Sequence, residues 1–206
     1  MQKAMKFLSL MKVVFFLLLT GIVISSCQST GEKAVNASMD SAQNLNETKF
    51  PASPSKQQHA QYLMTAFASG LYEIRSAKAA LKQTTNPDVK KLAGVMIKTN
   101  TTINDTISNL AAQKQISLPG DLTQDQKTQL KTLLAQKGAA FDEAYLRLIV
   151  DDHKNTIVLL NQAETSSDAN IINWAKRTLP AIQEHLDRIT TCKKKVDSIQ
   201  QRQGIE

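Results

Sequence analysis

Apolar and polar residues alternate along most of this chain with the period of an α-helix. Apolar residues recur at intervals of three and four, which places them on one face of each helix. The first apolar stripe covers residues 63–81, and the second covers residues 89–110. The third and fourth cover residues 141–160 and 175–196. The pattern therefore predicts four long amphipathic helices.

Residues that favour helix starts separate these stripes. Asn86 and Pro87 supply an N-cap and a first helical residue for the second long helix. Thr123 and Gln126 have the spacing of a capping box, which predicts a short helix after them. Asp168 is placed to cap the fourth long helix. These residues therefore indicate where the helices begin.

The composition agrees with an all-α fold. Glycine, proline and aromatic residues are few, and no sustained strand pattern is present in the sequence. Four long helices with short connections are typical of a four-helix bundle. We predict an all-α, ferritin-like four-helix bundle over residues 56–206, with one short extra helix in the crossover between long helices two and three. The pattern leaves open whether these two helices run parallel or antiparallel.

The beginning of the chain has the features of a bacterial export signal. Lys12 precedes an apolar run over residues 13–24, which is short for a membrane span of about 20 residues but fits a signal peptide. Residues 24–27 (ISSC) resemble the lipobox of bacterial lipoproteins, in which cleavage before the cysteine is followed by acylation. We predict a signal peptide at residues 1–26, lipidation of Cys27, and attachment to the membrane through that lipid.

The segment after the signal predicts a tether and a location. Residues 27–55 combine the lipidated cysteine with a stretch rich in Ser, Asn, Gln and Thr, which we expect to be disordered. Gln28 stands where an Asp retains some lipoproteins at the inner membrane, so we predict the outer membrane, facing the periplasm. Lipidation of Cys27 would leave Cys192 without a disulfide partner, and we expect its thiol to be buried and inert.

The charge of the chain does not favour a nucleic-acid partner. The formal net charge is +7, and the predicted cleavage removes three lysines and leaves +4. That modest excess comes without any nucleic-acid reading motif. We therefore expect a membrane partner through the lipid anchor and no nucleic acid, while a protein or small-molecule partner is not identifiable from the residues.

Polar residues lie on or beside the apolar stripes near the middle of the long helices. They are Glu73, Asn100, Asp152, His153 and His185. Because the midpoints of equally long helices lie at one level, these residues are predicted to form a mid-bundle polar layer. One interpretation is a hydrogen-bonded layer that fixes helix register. The other is a site for a divalent metal, iron or zinc, with Glu73, Asp152, His153 and His185 as ligands.

Five short sequence motifs, spread in order over most of the domain, resemble those of a known family. They are residues 67–73 (FASGLYE), 86–93 (NPDVKKLA), 141–145 (FDEAY), 152–153 (DH) and 178–186 (TLPAIQEHL). The chain resembles the bacterial family numbered 4142 among domains of unknown function, whose members are ferritin-like, exported or lipid-anchored. The resemblance implies a fold and a recurring Glu and His pattern, and it implies no reaction.

One departure from this family bears on the metal interpretation. Where the resemblance leads us to expect Asp-His on the second long helix, the chain has Thr99 and Asn100. Transition metals bind an amide less favourably than an imidazole. The chain also lacks the paired Glu-x-x-His words of di-iron bundles, a nucleophile elbow and a phosphate loop.

The sequence therefore predicts a cell-envelope module for binding or structure, with no cofactor and no catalytic activity readable from its residues. The alternative is a metal-binding ferritin-like protein with a redox or metal-storage role. Among the remaining side chains, we expect His59 to be solvated and Trp174, Tyr72 and Tyr145 to serve packing.

Overall fold

The protein is described by a computed structural model over residues 38–204, which contains six α-helices. They are α1 (Met39–Lys49), α2 (Pro54–Gln83), α3 (Pro87–Gln113), α4 (Gln124–Ala135), α5 (Gly138–Ala163) and α6 (Ala169–Gln203). No strand occurs between residues 38 and 204, so the all-α prediction is confirmed. Within the same residues, no helix combines the length and apolarity that crossing a bilayer requires.

The predicted helix starts are confirmed by their capping contacts. The Asn86 side chain accepts a hydrogen bond from the backbone N–H of Asp88 at 2.9 Å. Thr123 and Gln126 form a complete capping box at the start of α4. Asp168 caps α6 through two backbone N–H groups. These side chains satisfy amide groups that have no carbonyl partner inside the helix.

The apolar core consists of two clusters, each with residues from all four long helices. The first cluster includes Leu63, Ile107, Leu160, Ile171 and Trp174. The second cluster includes Ala77, Met96, Phe141, Ile149 and Ile189. On each long helix the two clusters occupy opposite ends. The core is therefore divided across its middle.

This division fixes the directions of the long helices. Along the chain, α2 and α6 lead from the first cluster to the second, whereas α3 and α5 lead from the second to the first. Helices α3 and α5 therefore run parallel, which settles the direction that the sequence left open. The connection over residues 114–137 must return along the length of the core, and α4 lies within it.

The prediction that residues 28–55 are disordered is wrong for α1. Ala42 and Phe50 join the first apolar cluster, and Asn46 is buried against the α3–α4 connection. The Asn46 side chain donates to the Ser117 carbonyl at 2.9 Å and accepts from the Ser117 N–H at 2.7 Å. Because α1 is held in part through the polar side chain of Asn46, its sequence shows no clear apolar stripe, and the helix was not predicted. The predicted signal peptide, Cys27 and residues 28–37 lie outside the described residues.

Helices α2 and α3 approach closely at Gly70. A Cβ atom at this position would lie 2.2 Å from Oδ1 of Asn104 on α3. The Asn104 side chain occupies that space and donates to the Phe67 carbonyl at 3.3 Å. The absence of a side chain at Gly70 therefore permits this contact between the two helices.

Candidate functional site

The five polar residues predicted for the middle of the domain come together between the two apolar clusters. Glu73 of α2, Asn100 of α3, and His153 and His185 of α5 and α6 are buried. Asp152 is partly exposed and hydrogen-bonds to Glu73 from the edge of the group. The interruption of each apolar stripe therefore corresponds to one polar layer. The use of this layer as a ligand or metal site remains a prediction.

Glu73 is the centre of the layer. Asn100 Nδ2 donates to its Oε2 at 2.5 Å, and His153 Nδ1 lies 2.8 Å from its Oε1. His153 Nδ1 also lies 2.9 Å from the Ile149 carbonyl oxygen. Because both neighbours of Nδ1 are acceptors, this nitrogen carries a proton. A buried carboxylate is costly without such partners, and these contacts offset its desolvation.

Asp152 and Glu73 form a carboxyl pair in which the pKa of Asp152 is raised and the pKa of Glu73 is lowered. Burial and the neighbouring Glu73 charge raise the pKa of Asp152 to about 8, and the hydrogen bond from Ser69 only partly opposes this. Burial alone would raise the pKa of Glu73, but the His153 charge and the hydrogen bonds from its neighbours lower it. At neutral pH the pair therefore holds one proton on Asp152, which it donates to the Glu73 carboxylate.

The two histidines of the layer are held in different protonation states. Burial opposes a charge on His153, but the Glu73 carboxylate and its hydrogen bond raise the pKa of His153 above its ordinary value. Burial, followed by the His153 charge, lowers the pKa of His185. Their ring centres lie 5.6 Å apart, with the planes inclined by 60°. The layer therefore pairs a histidine that tends to be cationic with one that tends to be neutral.

Two ring nitrogens of this pair have no hydrogen-bond partner among residues 38–204. His153 Nε2 and His185 Nδ1 are shielded from solvent, and neither makes a hydrogen bond within the described residues. Buried polar atoms are usually satisfied, so each such atom indicates a bound water, an ion or a cost in stability. The Glu73 side of the layer is thus saturated with hydrogen bonds, whereas the His185 side is not.

Asp152 links the layer to a surface groove of about 660 Å³ beside α4 and α5. Tyr72, Gln129, Arg147 and Asp151 also line this groove. The Tyr72 hydroxyl donates to Gln129 Oε1 at 3.0 Å, which gives this tyrosine a polar role beside its packing. The interior layer is therefore separated from the groove by one side chain.

Ser69 is a member of the network that the sequence analysis missed. Its hydroxyl donates to Asp152 Oδ2 and lies 3.2 Å from the Thr156 hydroxyl. Ser69 precedes Glu73 by one helical turn, so both side chains lie on the same face of α2. That spacing was the signal that could have identified it.

Outside the layer, the structure can be compared with the sequence-based expectations for three side chains: His59, Cys192 and Trp174. The expectation that His59 is solvated is wrong, because this ring is buried, and burial lowers its pKa. His59 lies four residues before Leu63 and so shares its inward face. Cys192 is buried, as predicted, it forms no disulfide within residues 38–204, and burial raises the pKa of its thiol to about 11. Trp174 packs in the first apolar cluster, as predicted.

The carboxylates of the layer are engaged by neighbouring side chains. Within residues 38–204, no group of three or more His, Cys, Asp or Glu side chains is arranged to hold a metal ion. Asn100 and His153 contact the two carboxylate oxygens of Glu73, and Ser69 donates a hydrogen bond to Asp152. The geometry therefore supports mutual hydrogen bonding better than a ring of four metal ligands.

Comparisons with known proteins agree with the sequence resemblance. The family model described as "Domain of unknown function (DUF4142)" matches residues 45–191, which is more than half of the chain. No curated protein and no solved structure is significantly similar to this chain. The matched segment includes Glu73, Asn100, Asp152, His153 and His185. The chain therefore belongs to the DUF4142 family of domains of unknown function.

Proposed function

We propose that this chain is a lipid-anchored protein of the bacterial cell envelope, with a ferritin-like four-helix bundle that serves as a binding or structural module. The four long helices meet along two shared apolar clusters, which supports a bundle. The parallel course of α3 and α5, joined by a long crossover, supports the ferritin-like arrangement. The proposal places the domain at the periplasmic face of the outer membrane.

The observation that carries the structural role is the set of hydrogen bonds around Glu73. Glu73 accepts from Asn100 on α3 and from His153 on α5, so one buried side chain joins three helices. Sliding any of these helices by one turn would leave a buried carboxylate unpaired, at a cost of about 1–3 kcal/mol or more. The layer thus fixes helix register without any requirement for a reaction.

The anchor is tested by labelling cells with a radioactive fatty acid. Wild-type protein should take up label, whereas Cys27→Ala should not, because the lipobox supplies the proposed acylation site. Cys192→Ala is the matched control, since it removes the other cysteine and should leave labelling unchanged. Label on the Cys27→Ala protein would show that the anchor proposal is wrong.

A second candidate is a metal-binding protein with a redox or metal-storage role. It is favoured by the Glu73–His153 contact, because a carboxylate that holds one imidazole nitrogen leaves the other free to bind a metal. Elemental analysis of the purified full-length chain separates the candidates. Stoichiometric iron or zinc, together with a loss of thermal stability when it is stripped, would favour this second role over a purely structural layer.

A further inference from the structure

One end of the domain carries an excess of exposed positive charge. At this end, which we call the basic end, α2, α4 and α6 terminate and α3 and α5 begin. Its exposed cations that form no ion pair with another described residue are Lys82, Lys90, Lys91, Lys131, Lys137 and Arg202. Two carboxylates near them are already paired, Asp88 with Lys195 at 3.8 Å and Asp197 with Lys193 at 2.8 Å. Glu143 is exposed but lines the groove beside α4 and α5.

Exposed aliphatic side chains are concentrated at the same end. Among the described residues, five large hydrophobic side chains are exposed. Three of them belong to the basic end: Leu81, Leu134 and Ile199, which are 41%, 42% and 38% exposed. A single exposed apolar residue is ordinary on a protein surface, whereas several at one place indicate a contact surface.

Hydrogen bonds between the helix ends join the parts of this surface. Gln83 Nε2 donates to the Leu134 carbonyl at 3.4 Å, and Lys137 Nζ donates to Gln83 Oε1 at 3.0 Å. Gln200 Nε2 of α6 donates to the Ala139 carbonyl at the start of α5 at 3.2 Å. Each of the three exposed aliphatic residues lies within two residues of one of these contacts. They therefore share one end of the domain with the cations.

Helix electrostatics do not account for all of these cations. The helix dipole favours cations near a C-terminus and disfavours them near an N-terminus. Lys82, in the last turn of α2, agrees with that rule. Lys90 and Lys91 instead lie within five residues of the start of α3, and Lys137 is the N-cap residue of α5. Their charges oppose the helix dipoles, which indicates a role other than helix stability.

The combination of lysines and exposed leucines fits a lipid surface better than a protein partner. At a bilayer, cations are attracted to anionic headgroups, while aliphatic side chains enter the boundary between headgroups and acyl chains. Protein–protein interfaces are instead enriched in aromatic side chains and depleted in lysine. In the described part of the chain, no exposed aromatic side chain lies at the basic end.

We propose that the basic end of the domain docks on anionic phospholipid headgroups at a membrane surface. The lysines pair with headgroup phosphates, and Leu81, Leu134 and Ile199 enter the boundary beneath the headgroups. This contact goes beyond the lipid anchor, because the anchor attaches the chain whereas docking orients the domain. It does not require the anchor and is therefore testable without it.

The test is cosedimentation of residues 28–206 with lipid vesicles. This chain retains every described residue and lacks both Cys27 and the apolar run of residues 13–24, which would bind lipid by itself. We expect binding to vesicles with equal parts of phosphatidylcholine and phosphatidylglycerol. Binding should decrease as salt screens the charges, and it should be absent with phosphatidylcholine alone.

A chain with Lys82→Gln, Lys90→Gln and Lys137→Gln should bind the anionic vesicles about 100-fold more weakly, since each lysine near such a surface contributes about fivefold. Its thermal midpoint should not fall, because two of these charges oppose a helix dipole. Docking is thereby separated from stability. The matched control changes three exposed lysines outside the basic end to Gln: Lys98, Lys154 and Lys176. It should bind nearly as well as the parent.

The aliphatic part of the surface is tested by changing Leu81 and Leu134 to Ser, which should also weaken binding. Val158→Ser is the control, since Val158 is 55% exposed and lies towards the opposite end of α5. Unaltered binding after the lysine changes would overturn the proposal, and so would equal binding to neutral vesicles or no binding to either kind. Fatty-acid labelling of Cys27 reports on the anchor separately, so the two proposals can fail independently.

Discussion

The Nδ1 atom of His153 lies 2.8 Å from Oε1 of Glu73, where the two apolar clusters of the core meet. Together with Asn100, the pair explains why polar residues occur at mid-helix on α2, α3 and α5. Each of these three residues would be costly alone in the core, whereas their hydrogen bonds offset much of that cost. A polar layer in the middle of the domain is therefore compatible with a close-packed interior on either side of it.

Removing His153 should destabilise the domain. The His153→Ala variant leaves the Glu73 carboxylate without its charged partner, so the free energy of unfolding should fall by about 1–3 kcal/mol. Urea unfolding of the metal-free protein measures this change. Lys154→Ala, at an exposed neighbouring position, should have little effect. A wild-type protein that melts when a chelator removes divalent ions would instead indicate that such an ion holds the layer together.

The stability of the domain should fall as the pH rises through about 8. The folded chain holds a proton on Asp152, whose pKa is raised to about 8 from its ordinary value of 3.8. The stabilisation from this neutral carboxyl is complete below the unfolded pKa and is lost as pH rises through the folded one. His153, whose pKa is also raised, adds a loss in the same direction.

Urea unfolding from about pH 6 to about pH 9.5 would measure this dependence. Asp152→Asn keeps a neutral donor for Glu73 and should flatten the curve near pH 8, whereas Asp151→Asn on the exposed side should leave it unchanged. An unaltered curve in Asp152→Asn would contradict the proposed carboxyl pair.

A methyl group at Gly70 should weaken the packing of α2 against α3. The added Cβ would displace the Asn104 side chain and break its hydrogen bond to Phe67, at a cost of about 1–3 kcal/mol. Gly94→Ala is the matched control, because its added Cβ has no atom within 4 Å apart from its chain neighbours and the adjacent helix backbone, and it should stabilise α3 by about 0.5–1 kcal/mol. Thermal unfolding compares the two. A Gly70→Ala protein as stable as Gly94→Ala would argue against the close approach of these helices.

Helix α1 should add stability to the domain. A chain that begins at residue 54 lacks the two hydrogen bonds between Asn46 and Ser117, which together contribute about 1–3 kcal/mol. It also exposes the part of the first apolar cluster that Ala42 and Phe50 cover. We expect a lower thermal midpoint than for a chain that begins at residue 38. Equal midpoints would mean that α1 does not stabilise the rest of the domain.

The helix starts and the polar layer were predictable from the sequence because their signals are local or periodic. Asn86, Thr123 and Asp168 cap helices through backbone groups two or three residues away. Glu73, Asn100, His153 and His185 stand out because each is a polar residue on or beside an apolar stripe at mid-helix. Helix α1 was missed because Asn46 anchors it through a contact with Ser117, which lies 71 residues further along the chain.

The all-α class and the long helices follow from the local sequence, because helical period and capping depend on neighbours within a turn or two. The course of the chain and the partners of each polar atom are set by packing between residues that are distant in sequence. The parallel direction of α3 and α5, the contact of Glu73 with His153, and the burial of His59 all depend on residues far apart in sequence. A periodic pattern records which face of a helix is buried, but only packing decides what that face meets.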